Sequence, residues 1–212
     1  MKFAVPKGTF AKSAAPGSAP SVTRQSSGLD QFHSLLKGAE DLHVLDLSGA
    51  SQANITFITN AGHSFSSDDI VATMLQHFED DFAENQQSDS KAAAFLEQTL
   101  TFPANSFDGV LAWDALQFLA PPLLEQTVER LLRLTRPGGS ILAFFNANEK
   151  VKEIPLYTYR IQDSKTLIQV PRGTPQKVQN FNNRSIEKLF ESAASVKFFL
   201  TRDNLREVIV RR

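Results

Sequence analysis

The chain has 212 residues and a formal net charge of −1 at pH 7, which is enough for one sizeable core and too little for two comfortable domains. The balanced charge provides no global field for nucleic acid or for an acidic membrane surface, so we expect neither partner. The sequence contains no cysteine, which excludes disulfides, thiolate zinc sites and cysteine nucleophiles. The four histidines show no metal-ligand spacing, so no metal site is predicted.

The N-terminal part of the chain differs in composition from the rest. Residues 1–27 are rich in Ala, Pro, Gly, Ser and Lys and lack periodicity, which predicts a disordered tail before a folded domain at 28–212. No signal-peptide h-region follows Met1, and no window approaches the roughly 18 apolar residues of a membrane span. We therefore expect a cytoplasmic protein.

Apolar periodicity predicts strands and helices in alternation. Strands are predicted at 42–47, 63–67, 93–96, 107–113 and 140–145, and helices at 29–36, 53–59, 70–82, 121–132 and 183–191. A hairpin at 157–170 and an antiparallel pair at 196–200 and 205–210 complete the chain. Alternation of this kind predicts an α/β fold, with a doubly wound, mostly parallel sheet and helices on both faces.

The first predicted strand ends in a run of very small residues. Leu42, Val44, Leu45 and Leu47 are the apolar residues of this strand, Asp46 supplies a carboxylate near its end, and Ser48 to Ser51 follow with almost no side-chain bulk. A strand, a small-residue turn and a helix N-terminus expose unpaired backbone N–H groups. Open α/β sheets bind nucleotide-like ligands at such turns.

Four features, in the right order, make residues 29–212 resemble a class I S-adenosylmethionine-dependent methyltransferase. They are Val44-Leu45-Asp46-Leu47-Ser48-Gly49-Ala50, similar to V-L-D-x-G-x-G-x-G; Asp69, 23 residues after Asp46; Ser106–Trp113, similar to a fourth strand with S-F-D-x-V; and Leu132–Gly139, close to L-R-P-G-G. The resemblance implies a Rossmann-like, seven-stranded sheet ending in the antiparallel pair. It also implies S-adenosyl-L-methionine as cofactor and transfer of its methyl group to an acceptor that the sequence does not identify.

The same resemblance implies where the cofactor would bind. Asp46 would orient water or the cofactor's amino group, although a carboxylate just past a strand also suits a helix cap. Asp69 would accept hydrogen bonds from the ribose hydroxyls, with Asp68 as the alternative if the strand ends one residue earlier, and Asp69 also suits an N-cap. The resemblance implies further cofactor contacts from the turn residues Ser48, Gly49 and Ala50 and from Trp113. It also implies that the carboxylate of Glu97 would contact the adenine ring of the cofactor.

Asp114 is the catalytic candidate, because it ends the fourth strand at the crevice where a methyl acceptor would lie. It would orient or deprotonate an acceptor hydroxyl or amine, and its competing interpretation is the N-cap of the turn that follows. In this fold, additions such as the 157–170 hairpin form either a lid over the acceptor or a dimer contact, so the chain is compatible with a homo-oligomer.

The chain departs from the family pattern at the glycines. Ser48, Ala50 and Gln52 stand at the three glycine positions, and only Gly49 is present among them. The Gln52 side chain either enters the space of the cofactor's amino-acid end or turns to solvent. The departure leaves a second hypothesis, a catalytically weak or inactive methyltransferase-like binding or scaffold protein. A nicotinamide-dependent dehydrogenase is disfavoured, because G-x-G-x-x-G is absent after the first strand.

Overall fold

The structure is a computed structural model that describes residues 20–78 and 86–212. In chain order its elements are β1 (Val22–Gln25), α1 (Ser27–Leu36), β2 (His43–Asp46), α2 (Gln52–Asn60), β3 (Ser64–Ser67), α3 (Ile70–Phe78), α4 (Asp89–Gln98), β4 (Phe107–Trp113), a 3₁₀ turn (Ala115–Phe118), α5 (Pro121–Leu134), β5 (Thr135–Asn146), β6 (Glu153–Asp163), β7 (Thr166–Lys177), α6 (Asn183–Leu189), β8 (Ser195–Leu200) and β9 (Leu205–Arg211). The predicted extension of α3 to residue 82 lies outside the described residues. None of the described helices is long and apolar enough to span a bilayer.

Local sequence signals explain where several helices begin. The Ser26 side chain accepts a hydrogen bond from the Leu29 amide and caps α1. Proline occupies the first turn of α5, where its missing N–H has no intrahelical partner to lose. Asn182 and Ser185 form a reciprocal capping box at the start of α6. These signals are readable in the sequence, and the predicted positions of the three helices are confirmed to within a few residues.

The main sheet has the strand order β3-β2-β4-β5-β9-β8, with β3, β2, β4 and β5 parallel and the last two strands antiparallel. It has six strands within the described ranges, whereas seven were predicted. The prediction of a strand at 93–96 is wrong, because this segment lies in α4. Ala92, Phe95 and Leu96 repeat at helical spacing and form the buried side of α4, and a short apolar run does not distinguish a strand from a buried helix.

Alternating side chains of the main sheet build a core on each of its two faces. On one face, Leu45, Val110 and Phe145 pack in the cluster that includes residues of α3, α4, α5 and α6. On the other face, Val44 and Leu111 pack with residues of α1, α2 and the β6–β7 hairpin. The doubly wound α/β arrangement is confirmed, and part of the second face is covered by a small sheet.

That small sheet has the order β1-β7-β6, with all its strand pairs antiparallel. Its β6–β7 hairpin is longer than the predicted 157–170. Its β1 strand pairs with Thr166–Gln169 of β7, so the ordered domain starts before residue 28. The predicted tail boundary at residue 27 is therefore misplaced, because pairing with β7, a partner distant in sequence, orders Val22–Gln25. Residues 1–19 of the predicted tail lie outside the described residues.

We expect Gly109→Ala to destabilise the fold. A Cβ on Gly109 of β4 would lie 2.6 Å from Cζ of Phe32, and Phe32 is itself fully buried in α1. Overpacking of this kind costs roughly 1–3 kcal/mol of unfolding free energy, which urea denaturation would measure. In a Phe32→Leu background the loss caused by Gly109→Ala should be smaller. Equal losses in both backgrounds would contradict this contact.

Candidate functional site

The Asp46 carboxylate lies at the carboxyl end of β2 and is completely buried. Its Oδ1 accepts hydrogen bonds from the Ser48 amide (2.9 Å), the Ser48 hydroxyl (3.0 Å) and Trp113 Nε1 (2.7 Å). Its Oδ2 accepts one from Asn54 Nδ2 at 2.6 Å. Burial raises the pKa of Asp46, and these hydrogen bonds oppose that rise. Asp46 therefore ties together β2, the turn after it, the first turn of α2 and the end of β4.

The turn after β2 keeps the open geometry that its small residues suggest. Gly49 has a φ of +85°, a left-handed conformation that glycine adopts without steric cost. Ser48 forms an isolated antiparallel bridge with Asp69, and the Gly49 amide donates to the Asp68 carbonyl at 3.1 Å. A Cβ at Gly49 would lie 3.1 Å from Asp69 Oδ2. The single glycine that remains therefore stands where the turn approaches the predicted ribose-binding carboxylate most closely.

Gln52 turns away from this turn. Its Nε2 donates to the Thr56 hydroxyl at 3.1 Å, one helical turn further along α2, and the side chain is exposed. Of the two orientations that the sequence left open, the structure has the one that leaves the space above the turn free of Gln52. Ala50 is also exposed, and Ser48 points its hydroxyl at Asp46.

The two consecutive acids after β3 have different partners. Asp68 Oδ2 accepts a hydrogen bond from the Leu100 amide at 3.1 Å, so Asp68 holds the segment after α4. Asp69 Oδ1 accepts from the Ala72 amide at 3.0 Å, which makes it a cap for α3. Both Asp69 oxygens also contact the Arg172 guanidinium, with Nη2 at 2.9 Å from Oδ1 and Nη1 on Oδ2. Asp69 is therefore the acid nearer the turn, and its partner comes from β7.

The hairpin reaches the site through β6 as well. The Trp113 ring stacks on the Tyr159 ring, with centroids 5.0 Å apart and planes 5° apart. Asn54 donates to the Tyr159 carbonyl at 2.8 Å and accepts from the Ile161 amide at 2.7 Å. Trp113 has a φ of +49°, a strained value for a bulky residue, and the stack and its bond to Asp46 hold it there.

Asp114 lies beside this stack. Only 5% of its surface is exposed, and its Oδ2 has no hydrogen-bond partner among the described residues. Burial raises the pKa of Asp114 from 3.8 to about 7, and a hydrogen bond from the Tyr159 hydroxyl and the charge of Arg172 limit the rise. A buried carboxyl that titrates near neutral pH can hold or release a proton under physiological conditions.

Glu97 does not join this group. It lies on α4 and lines a cavity between α4 and α5 together with Arg130 and Arg133. The prediction that Glu97 contacts the adenine of the cofactor assumed that Glu97 follows a third strand. The described structure has a helix there, which removes the basis for that placement. The structure places Asp46, Ser48, Gly49, Asp69, Trp113 and Asp114 near one another, and their binding and catalytic roles stay predictions.

Sequence reasoning missed two polar residues of the site, Arg172 and Asn54. Asn54 lies in the first turn of the helix after the small-residue turn, and its side chain contacts Asp46. A single asparagine in a helix does not by itself indicate a site residue in the sequence. Arg172 is 103 positions from Asp69 in the sequence, and nothing local relates them. Only the packing of the hairpin on the main sheet reveals their contacts.

Residues 44–139 match the family model described as a methyltransferase domain. The fold of the chain is similar to that of a SAM-dependent methyltransferase from Archaeoglobus fulgidus, with a TM-score of 0.52 and 12% identity over 87% of this chain and 91% of that one. It is also similar to an S-adenosylmethionine-dependent methyltransferase from Clostridium acetobutylicum, with a TM-score of 0.50 and 8% identity over 89% and 92% of the two chains. No curated protein sequence matches the chain.

We expect Asp46→Asn to destabilise the fold strongly. All four groups that contact the Asp46 oxygens donate hydrogen bonds, so an amide NH₂ at either position would face a donor. Loss of a charge-assisted acceptor in a buried site costs on the order of 2–3 kcal/mol, measurable by urea denaturation. Ser48→Ala is the matched control, because it removes one donor and should cost only about 1 kcal/mol. Equal stability of Asp46→Asn and wild type would contradict the network.

We expect Asp114→Asn to have the opposite effect above neutral pH. Because the folded-state pKa of Asp114 is about 7 rather than 3.8, its ionisation opposes folding and wild-type stability should fall as the pH rises from 4 to 7. Removing that penalty should stabilise the protein by up to about 4 kcal/mol at pH 8, and much less at pH 4. Urea denaturation from pH 4 to 9 measures this difference. Parallel curves for the two proteins would rule out a raised Asp114 pKa.

Proposed function

We propose that this protein is an S-adenosylmethionine-dependent methyltransferase with its cofactor site at the carboxyl ends of β2, β3 and β4. The observation that carries the proposal is the placement of Asp46 and Asp69. They lie at or just beyond the ends of two adjacent parallel strands, they flank one small-residue turn, and they belong to the segment that matches the methyltransferase family. Ligands bind at this edge of open α/β sheets.

The residues around the turn suit the cofactor. Gly49 lies against Asp69 without a side chain of its own, Ser48 and Ala50 are small, and Gln52 is turned away along α2. Asp69 would accept hydrogen bonds from the ribose hydroxyls, and Asp46 would hold the turn in place. Trp113 would offer its ring to the cofactor. When bound, the cofactor supplies a methyl group on a sulfonium centre, which is already a good leaving group.

Asp114 is the residue that we assign to the acceptor side. It follows the end of β4, its Oδ2 has no partner within the described part of the chain, and its pKa of about 7 lets it exchange a proton near neutral pH. A hydroxyl or amine acceptor placed against Oδ2 would be oriented by this carboxyl, which would also take up the proton that the acceptor releases. The identity of the acceptor is not specified by these residues.

A specific observation favours a second function, a non-catalytic methyltransferase-like binding protein. Asp69 is paired with Arg172, and the Trp113 ring is stacked on Tyr159. Two of the residues assigned to the cofactor thus already contact the chain's own hairpin. In this alternative, the hairpin would fill the cleft permanently and the domain would act through a partner.

Calorimetric titration with S-adenosylmethionine and S-adenosylhomocysteine, backed by thermal melting, distinguishes the two functions. For the enzyme we expect saturable binding, and ligand at 100 times its Kd should add about 2.7 kcal/mol to stability. For a chain of this size this raises the Tm by about 5–10 °C. If both wild type and Arg172→Ala show no binding heat and no Tm shift at millimolar ligand, the enzyme proposal is overturned. This outcome would support the binding protein.

The ribose assignment has its own test. In an Arg172→Ala background, where the ion pair to the hairpin is absent, we expect Asp69→Ala to weaken S-adenosylmethionine binding at least tenfold. The physical reason is the loss of charge-assisted hydrogen bonds to two hydroxyls. Asp68→Ala in the same background is the control and should bind as its parent does. Equal affinities of the two variants would refute the assignment of Asp69.

A further inference from the structure

The Arg172–Asp69 ion pair occupies most of the hydrogen-bonding capacity of the Asp69 carboxylate. Oδ1 accepts from the Ala72 amide at 3.0 Å and from Arg172 Nη2 at 2.9 Å, while Oδ2 accepts from Arg172 Nη1 and faces Gly49. A guanidinium held by both carboxylate oxygens is a strong and geometrically specific pairing. A sugar diol that binds Asp69 with two hydrogen bonds would therefore compete with Arg172 for the same oxygens.

The charges around the guanidinium favour its present position. Asp69 contributes most to the raised pKa of Arg172, and the charges of Asp114 and Asp46 act in the same direction. The two side chains of the pair are about one quarter exposed, at 28% for Arg172 and 24% for Asp69. The pair is thus partly exposed, where solvent or a ligand can reach it, and does not lie in the core.

The backbone next to Arg172 leaves the regular strand pairing. The β6–β7 ladder is regular from Leu156 opposite Arg172 to Ile161 opposite Leu167, and its register shifts at both ends of this stretch, between Ile154 and Leu156 and between Ile161 and Asp163. Gly173, next to Arg172, has a φ of +64°, a conformation that glycine adopts readily. Arg172 is therefore the last paired residue of this regular stretch before the irregular segment that contains Gly173.

We propose that Arg172 is a built-in competitor for the cofactor site: its guanidinium occupies the diol-binding carboxylate Asp69, and S-adenosylmethionine binds only by displacing it. This inference rests on the proposed function, because it assigns the regulation of the same site. The displacement exchanges one set of hydrogen bonds on Asp69 for another. The apparent affinity of the cofactor is therefore lowered by the fraction of molecules in which Arg172 is bound.

The test compares three proteins: wild type, Arg172→Ala, and Arg160→Ala. Arg160 is an exposed arginine on β6 of the same hairpin. Arg160→Ala therefore removes the same positive charge as Arg172→Ala does, but it leaves the Arg172–Asp69 ion pair intact. We expect calorimetry to give at least tenfold tighter S-adenosylmethionine binding by Arg172→Ala than by wild type. Arg160→Ala should bind as wild type does.

Thermal melting supplies a second readout that a merely structural arginine would not produce. Without ligand, Arg172→Ala should have a lower Tm than wild type, because Asp69 loses its partner. With saturating ligand at one fixed concentration, its upward Tm shift should be larger than that of wild type. An arginine needed only to hold the hairpin in place would lower the Tm and weaken cofactor binding together.

The outcomes separate this inference from the proposed function. Binding by wild type that equals or exceeds binding by Arg172→Ala would overturn the competitor role and leave the methyltransferase proposal standing. Absence of binding by all three proteins at millimolar cofactor would overturn the proposed function itself. Tighter binding by both arginine variants would assign the effect to general charge and would also overturn the specific role of Arg172.

Discussion

The buried Asp46 carboxylate is the interaction on which the rest of the site depends. A charged group without access to water needs donors on all sides, and here they come from the turn after β2, from α2 and from the end of β4. Because one side chain joins these three elements, it fixes the path of the turn. It also holds Trp113 in a strained backbone conformation. The placement of Asp69 beside Gly49 follows from that path.

The hairpin completes this arrangement from the other side. Asn54 donates to Asp46 and to the Tyr159 carbonyl, so it connects the carboxylate network to β6. Stacking of Tyr159 on Trp113 then closes the apolar part of the contact. The same packing creates the most unusual electrostatics of the site, since it buries Asp114 beside Tyr159 and raises its pKa to about 7. The proposed ligand-binding edge and a structural interface thus use the same residues, and we therefore place the proposed control of access in the hairpin.

Prediction from the sequence succeeded where the signal was local and failed where it was not. The strand Phe107–Trp113 is apolar apart from Asp108 and the helix that starts at Pro121 is strongly amphipathic, and both lie where they were predicted. The segment 93–96 was assigned to a strand because four apolar residues fit either structure, but in the fold it is helical, with Phe95 and Leu96 on the buried side and Ala93 and Ala94 exposed. The strand at Val22–Gln25 was missed because its order comes from pairing with β7. For the candidate site, the acids after β2, β3 and β4 were recognised, whereas Arg172 was not.

By itself, the sequence determined the fold class and the positions of the carboxylates, because both are encoded in patterns within about thirty residues: strand periodicity, the small-residue turn and the acids that follow each strand. Only the tertiary structure decided how those carboxylates are used. Asp68 and Asp69 are adjacent and chemically identical, yet one holds the Leu100 amide and the other pairs with Arg172. The physical reason is that a carboxylate's partners depend on which distant donors the packing brings within hydrogen-bond distance, and that information is absent from its neighbours in the chain.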